Sequence, residues 1–322
     1  MPEYGFLDHN GNFGALWYET GDDIRVFLPH TSKKILKSSL ELWRQHHEYV
    51  GSPEDKQNYS PEINAAALVT SQENSYIDKK TLKTLVRPRG HYNPRVWRGI
   101  PPKSPLDTGY NGLVRDQSEY HLYMEGIHSA ESLLEELTRL FRTIAPAPAN
   151  DATYGHRVRE LLILACTEVE ASWRGIYTAN CSTTKNSYST KHYVKLKPLL
   201  RLDEWVVRLK NYPGYPELNP FKGWESVEGM TTKSLHWYDD YNAVKHNREN
   251  EFHRASFGSL IKAMAAIHVL QVAQWGPELY HRFHGNRYSA FETVSFPEYG
   301  PEEQYISVPV GLYTIKKVPY FG

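Results

Sequence analysis

The strongest constraint on the fold comes from two long amphipathic patterns in the middle of the chain. Apolar residues recur at spacings of three and four over residues 119–144 and again over residues 153–177. This period is that of a helix with one buried face. Pro146 and Pro148 separate the two patterns, so the second helix has to start anew after a short loop. The sequence therefore predicts two long antiparallel helices, as in a helical bundle.

Shorter patterns surround this pair. Residues 233–248 and 256–275 have helical spacing, and the second stretch ends at a Gly-Pro pair. The first hundred residues alternate short apolar runs with polar, Pro- and Gly-containing stretches, and residues 32–49 have the spacing of one helix. Further short elements are predicted, namely a helix over residues 192–200 and extended pieces over residues 202–209, 291–296 and 304–310.

These patterns predict a mainly α protein. The expected architecture is an antiparallel helical bundle with an irregular mixed α/β N-terminal region and a short C-terminal tail that contains β-strands. The predicted boundaries are residues 1–118 for the N-terminal region, 119–276 for the bundle and 277–322 for the tail. More than one domain is expected, since single cores rarely grow beyond about 250–300 residues.

Charge and cysteine content bear on the class of protein. Lys and Arg number 37, as do Asp and Glu, so nucleic-acid binding would need a local basic patch. Cys166 and Cys181 are too few for a disulfide framework and lack the spacing of a zinc or redox site. The first residues lack a signal-peptide pattern, and no stretch reaches the roughly 18 apolar residues of a membrane span. A cytoplasmic protein without membrane contact is therefore expected.

The sharpest charge asymmetry is in residues 79–103, here called the basic segment, which contains eight Lys or Arg residues and no acidic residue. One interpretation is an arm that neutralises RNA phosphates and stacks an aromatic ring on a base. The candidate RNA-contacting residues are Lys83, Arg87, Arg89, Arg95, Arg98 and Trp97. The alternative is a Pro-rich connector that docks on an acidic surface of the same protein or of a partner subunit.

The richest polar stretch covers residues 236–254. If this stretch is one helix with about 100° per residue, Asn242, His246, Glu249 and His253 fall within about 60° of one another. Arg248 then lies more than about 120° from His253. A single helix therefore cannot aim both of these side chains at one point.

Arg248 followed by His253, late in a helical bundle, resembles the Arg-x4-6-His motif of HEPN domains, the higher eukaryotes and prokaryotes nucleotide-binding superfamily. Residues 237–248 also resemble uncharacterised bacterial HEPN-like proteins with a Tyr-Asn-x-x-Lys-His-x-Arg signature. The resemblance covers residues 119–276, about half of the chain. Catalytic members usually have Asn, Asp or His directly after the arginine. This chain has Glu249 there, a difference that bears on activity and not on fold.

The resemblance implies a metal-independent endoribonuclease, an effector of anti-phage defence or of a toxin–antitoxin system, that works as a dimer with a shared cleft. In this chemistry His253 moves protons and Arg248 stabilises the phosphorane, because histidine titrates near neutral pH and a guanidinium is a fixed cation. His246 is the candidate second acid or base, and Asn242 is the candidate group that orients the phosphate or the 2'-hydroxyl. A dimer also solves the angular problem, since Arg248 of one copy could complement His253 of the other.

Three other interpretations of this stretch stay open. A catalytically inactive HEPN-like scaffold would dimerise and bind nucleotide, RNA or a partner protein from a neighbouring gene. A metal-dependent hydrolase would use the two motif histidines and Glu249 as ligands, although their spacing matches no HExxH pattern. A plain polar stripe would leave Arg248 paired to Asp239 or Asp240. No cofactor is expected, and the expected partners are RNA, a second copy of the chain and a neighbouring gene's product.

Overall fold

The structure, a computed structural model, describes residues 2–21, 23–28, 31–98, 117–183, 187–226, 230–280, 287–306 and 316–321. The protein is mainly α and also contains short strands. The chain divides into two compact units. The N-terminal unit comprises Met1–Tyr92, Arg98–Lys103 and Glu298–Lys316, and the helical unit comprises Asn93–Trp97, Ser104–Pro297 and Lys317–Gly322.

These units differ from the predicted boundaries. The predicted tail is not one segment, because its residues up to Pro297 belong to the helical unit and the next residues to the N-terminal unit. Asn93–Trp97 also belongs to the helical unit, although it precedes the predicted bundle. One cause is a hydrogen bond of 2.8 Å from Asn93 Nδ2 to the Val318 carbonyl, which joins residues 225 positions apart. Local sequence patterns contain no sign of such a pairing.

The N-terminal unit contains an antiparallel five-stranded sheet with the strand order β4-β3-β2-β1-β5. Its strands are β1 (Tyr4–Leu7), β2 (Phe13–Tyr18), β3 (Ile24–Leu28), β4 (Thr31–Ile35) and β5 (Lys83–Thr84). Its helices are α1 (Lys37–Val50), α2 (Pro53–Asn58) and α3 (Pro61–Ser71). The predicted start of the first helix at residue 32 is wrong, because that stretch pairs with β3.

The sheet has an apolar cluster on each face, since successive side chains of a strand point to opposite sides. One cluster joins the sheet to α1 and α3 and includes Phe6, Leu16, Val26, Leu40 and Ala66. The other cluster includes Phe13, Trp17 and Ile306. Helices α2 and α3 each begin with a serine cap followed by proline, which satisfies backbone N–H groups and favours helical φ.

The helical unit contains α4 (Gln117–Leu140), α5 (His156–Ala179), α6 (Thr190–Tyr193), α7 (Leu196–Leu200), β7 (Val206–Leu209), α8 (His236–His246), α9 (Arg248–Glu251), α10 (Phe257–Trp275) and β8 (Phe291–Ser295). Strands β7 and β8 form an antiparallel pair. The short strands β6 (His91–Tyr92) and β9 (Lys316–Lys317) complete the described strands. The two long predicted helices and the predicted strand at residues 291–296 are confirmed. Of the strand predicted at residues 304–310, the described residues 304–306 are not in a strand, and the rest lies outside the described residues.

Helix α10 is the centre of the helical unit and packs against α4, α5 and α8. Its start at Ser256 confirms the prediction, because that hydroxyl accepts a hydrogen bond from the Ser259 N–H at 3.2 Å. The helix is long and apolar enough to cross a membrane by composition alone, but 94% of its apolar window is buried within the protein. We therefore interpret α10 as a core helix.

Candidate functional site

The segment that carries the HEPN-like motif is not one helix. Helix α8 ends at His246, and the backbone of Asn247 leaves the helical region with φ −138° and ψ 59°. The four-residue helix α9 follows, and a 3-10 turn at Phe252–Arg254 leads to α10. The predicted common face of four polar residues is therefore wrong, because it required an unbroken helix to residue 253. Residues 246–253 are called the motif segment below.

Three motif side chains are exposed: His246, Arg248 and His253. Within the part of the chain that the structure describes, none of the three makes a side-chain hydrogen bond, an ion pair or a ring contact. Asn242 differs from them, because it is half-buried and its Nδ2 donates to the Tyr238 carbonyl of the same helix at 3.1 Å. The structure thus leaves one arginine and two histidines available to a partner or ligand.

Arg254, directly after the motif segment, is bound on both sides of its guanidinium group. Its Nε donates to Asp240 at 2.9 Å, and its Nη2 donates to Asp239 at 2.6 Å. Asp240 also accepts a hydrogen bond of 2.5 Å from the Ser259 hydroxyl in the first turn of α10. Hydrogen bonding to Asp239 raises the pKa of Arg254 above its usual range, although burial opposes this shift. This network fixes the exit of the motif segment to α8 and α10.

The ion pairs of Arg254 contradict the polar-stripe alternative. That alternative predicts Asp239 or Asp240 as the partner of Arg248, and in the structure both carboxylates pair with Arg254. The 3-10 turn that brings Arg254 back to α8 had no recognisable signal.

The other side of α8 is fixed to α5 by buried aromatic and polar contacts. The Tyr238 hydroxyl donates to Glu170 at 2.7 Å, and burial together with this bond raises the pKa of Tyr238 far above its usual value. The Tyr238 ring also meets the fully buried Trp173 ring at 5.2 Å between centroids. Within α8 itself, Lys245 Nζ donates to the Tyr241 hydroxyl at 2.9 Å. The motif segment therefore follows a helix that is packed against α5.

The described residues contain no group of three His, Cys, Asp or Glu side chains placed to hold a metal ion. The two motif histidines and Glu249 are therefore not assembled as a ligand set in one chain. Two cavities lie elsewhere, one beside α1 and α3 and one beside β7, and no motif residue lines either of them.

An exposed arginine beside two exposed histidines can supply a fixed cation and groups that move protons near neutral pH. Comparisons with protein-family models, curated proteins and solved structures give no match. The function of this chain is therefore inferred from its own geometry and from the sequence motif.

Several arginines of the basic segment have partners within the protein. The Arg89 N–H donates to Glu3 at 2.6 Å, the Arg89 guanidinium forms an ion pair with the same carboxylate, and it lies 5.5 Å from the Trp17 ring centroid. Arg87 lies 5.8 Å from the Tyr305 ring centroid. Lys83 differs from these arginines, because it is exposed in β5.

Arg98 is even less accessible than Arg87 and Arg89. It is 4% exposed and lies 4.8 Å from the Tyr299 ring centroid. An arginine in this position supports the N-terminal unit and cannot reach an RNA phosphate without leaving its place.

Arg95 and Trp97, the two remaining RNA-contact candidates, belong to the helical unit. Arg95 Nε donates to Gln274 at 2.7 Å, and burial lowers the pKa of Arg95 to about 10. Trp97 is buried, with its ring centroid 6.1 Å from that of Trp205 and 5.9 Å from that of Phe296. The buried Trp97 ring cannot stack on a base in this conformation. These contacts favour the connector interpretation of the basic segment, within its described residues 79–98.

Proposed function

We propose that the chain is a metal-independent endoribonuclease of the HEPN type, with the active site built from Arg248 of one copy and His253 of a second copy. One observation carries the proposal: Arg248, His246 and His253 are exposed without partners in the described part of the chain, while the neighbouring Arg254 is bound to two carboxylates. The motif side chains are thus unused inside the protomer but held on an anchored segment. The helical unit around α4, α5, α8 and α10 is compatible with a HEPN-like bundle.

A second copy would exclude water from the active site, which a single protomer leaves open to solvent. Electrostatic stabilisation of a phosphorane is strong where water is excluded and weak on an open surface. The motif segment is exposed, and neither of the two cavities includes it. A second motif segment facing the first would enclose the scissile phosphate and bring a guanidinium and an imidazole to it from opposite sides.

In the proposed reaction, His253 accepts the proton of the RNA 2'-hydroxyl as its oxygen attacks the adjacent phosphorus. Arg248 donates hydrogen bonds to the non-bridging oxygens of the phosphorane. The bond from phosphorus to the 5'-oxygen then breaks, and His246 donates a proton to that leaving oxygen. The products are a 2',3'-cyclic phosphate and a 5'-hydroxyl. RNA cleavage of this kind fits an effector of anti-phage defence or of a toxin–antitoxin system.

The second candidate is a catalytically inactive HEPN-like scaffold that dimerises and binds nucleotide, RNA or a partner protein. The specific observation in its favour is Glu249, an exposed carboxylate directly after Arg248. A negative charge at this position repels an RNA phosphate and competes for the guanidinium. Under this alternative the motif segment binds a partner surface without chemistry.

Incubation of purified protein with single-stranded RNA in EDTA separates the candidates. The endoribonuclease cleaves RNA in EDTA, whereas His253→Ala and Arg248→Ala each lower the rate by about 10²–10⁴-fold while the circular dichroism stays unchanged. His236→Ala is the matched control, because this exposed histidine lies at the far end of α8 and its loss leaves the rate unchanged. A wild type that cleaves no RNA, alone or with the products of its neighbouring genes, supports the scaffold. Activity that disappears in EDTA supports a metal site.

A further inference from the structure

The N-terminal unit has a cavity of about 230 Å³ next to α1 and α3 that the proposed function does not use. One part of its wall is apolar and accessible, with Trp43 half-buried and with Leu68 and Tyr76 exposed by 41% and 45%. The volume is below the roughly 300 Å³ at which pockets for drug-sized ligands begin, so it suits a single ring system. Aromatic side chains beside such a space favour a planar ligand.

The other part of the wall is a chain of hydrogen bonds. Lys79 Nζ donates to Asp55 at 2.7 Å and also to the side-chain carbonyl of Asn64. The Asn64 amide group must then face His47, and its Nδ2 donates to His47 Nδ1 at 2.7 Å. The Tyr59 hydroxyl donates to the Lys79 carbonyl at 3.0 Å, which fixes the lysine from its backbone end. The polar wall is therefore preorganised.

These hydrogen bonds determine which groups of the polar wall are left to bind a ligand. Because His47 Nδ1 accepts a hydrogen bond, the neutral ring carries its proton on Nε2. Within the described residues, that Nε2–H makes no hydrogen bond, and Lys79 has a third N–H beyond its bonds to Asp55 and Asn64, with its Nζ 5.1 Å from the Tyr59 ring centroid. Both residues line the cavity. The wall thus presents donors, and a matching ligand must present acceptors.

The net charge of the polar wall further limits the kinds of ligand that fit. The Asp55 carboxylate balances the Lys79 ammonium at 2.7 Å, and this contact keeps the pKa of Asp55 below its usual range. The polar wall therefore has no net charge. An anionic ligand would gain little from Lys79 and would meet Asp55. A neutral ring with carbonyl or ring-nitrogen acceptors is the best match.

We propose that this cavity binds a nucleobase, stacked on Trp43 and recognised through its acceptor edge by Lys79 and His47. Nucleobases combine a planar ring with carbonyl and ring-nitrogen acceptors, and each stacked base gains binding energy from an aromatic side chain. The base could belong to a free nucleoside or to a single-stranded RNA, which share this chemistry. The proposal goes beyond cleavage, because the cavity lies in the N-terminal unit and its occupancy is measured without any reaction.

The test is titration of the full-length His253→Ala protein with 5-fluorouridine, followed by ¹⁹F NMR. Using this variant prevents cleavage from disturbing later RNA measurements, and a failure of the endoribonuclease proposal would not alter the result. Saturable binding is expected. Adding Trp43→Leu weakens it roughly tenfold through loss of one stacked ring, and adding Lys79→Met weakens it by a similar factor through loss of a donor. Leu68→Trp, which fills the cavity and spares the polar wall, abolishes binding.

Tyr49→Leu is the matched control, because Tyr49 is an aromatic residue of the same helix that is 89% exposed and does not line the cavity. Its binding of 5-fluorouridine stays unchanged. The proposal is overturned if Trp43→Leu and Tyr49→Leu bind alike, or if benzoate or N-acetylphenylalaninamide binds more tightly than uridine. Oligouridylate that binds more tightly than uridine in a Trp43-dependent manner identifies an RNA base as the ligand, and equal binding identifies the nucleoside. Both results support a nucleobase pocket.

Discussion

The basic segment and the motif segment both contain cationic side chains, but the surroundings of these side chains are opposite. In the basic segment, Arg89 is paired with Glu3 and Arg98 is 4% exposed against an aromatic ring. In the motif segment, Arg248 is exposed and makes no side-chain contact within the described residues. The comparison teaches that a cluster of positive charge indicates an RNA surface only where the fold leaves those charges unpaired.

The physical reason for the difference is the position of the partners. Arg89 meets Glu3, which is 86 residues earlier in the chain, so the fold neutralises this cation through a distant carboxylate. The motif segment has carboxylates nearby at Asp239 and Asp240, but Arg254 already occupies both. Arg248 is therefore left for a partner outside the protomer.

The largest expected effect concerns Trp97. The sequence predicts that this ring stacks on an RNA base, but in the structure the ring is buried. Trp97→Ala should lower the free energy of unfolding by about 3–5 kcal/mol, because it deletes a large ring packed against Trp205 and Phe296. Urea denaturation measures this loss. His253→Ala serves as the comparison and should change the stability by less than about 0.5 kcal/mol. A loss below about 1 kcal/mol for Trp97→Ala would show that the ring is not packed as described.

The next largest effect on stability distinguishes Arg254 from Arg248, which lies six positions earlier. Arg254→Ala should lower the free energy of unfolding by about 1–2 kcal/mol, because two partly buried carboxylates lose their shared partner. Arg248→Ala should change it by less than about 0.5 kcal/mol, because the side chain is exposed. Thermal and urea unfolding of both variants provide the measurement. Equal losses would remove the distinction between an anchoring and a free arginine.

Much of the helical unit follows from the sequence, and the reason is local. The spacing over residues 119–144 and 153–177 predicts helices α4 and α5, because each has one apolar face toward α10. The start of α10 follows from Ser256. The break at Asn247 could not be predicted, because asparagine is tolerated within helices and no proline or glycine marks the place. The polar face that assumed an unbroken helix was wrong for this reason.

The N-terminal unit was harder to predict because its pairings are distant. The helical spacing that begins at Ile35 extends the predicted helix over the polar residues before it, and the pairing of residues 31–35 with β3 makes them a strand instead. The contacts of the basic segment with Glu3 and Tyr305 likewise join segments far apart in the chain. The polar wall of the cavity draws on α1, α2, α3 and the turn after them. No local spacing contains this information.

A smaller effect, on the salt dependence of RNA binding, directly tests the comparison between the basic segment and the motif segment. In a His253→Ala background, adding Arg89→Ala should leave the salt dependence of RNA binding unchanged, because Arg89 is bound to Glu3. Adding Arg248→Ala should lower the log-log slope by about 0.7, the value for one lost phosphate contact on a single strand. Fluorescence anisotropy with labelled RNA at several salt concentrations gives both slopes. A reduced slope for Arg89→Ala would show that the basic segment contacts RNA phosphates.

The most direct test of the central claim is complementation between two inactive variants. Arg248→Ala and His253→Ala proteins are mixed in equal amounts, and RNA cleavage is measured in EDTA. With random exchange half of the dimers are mixed, and each mixed dimer holds one intact site of two, so about a quarter of the wild-type activity is expected. Each variant alone stays inactive. A mixture that is as inactive as its components, under conditions where subunit exchange is demonstrated, would contradict a site shared between Arg248 of one copy and His253 of the other.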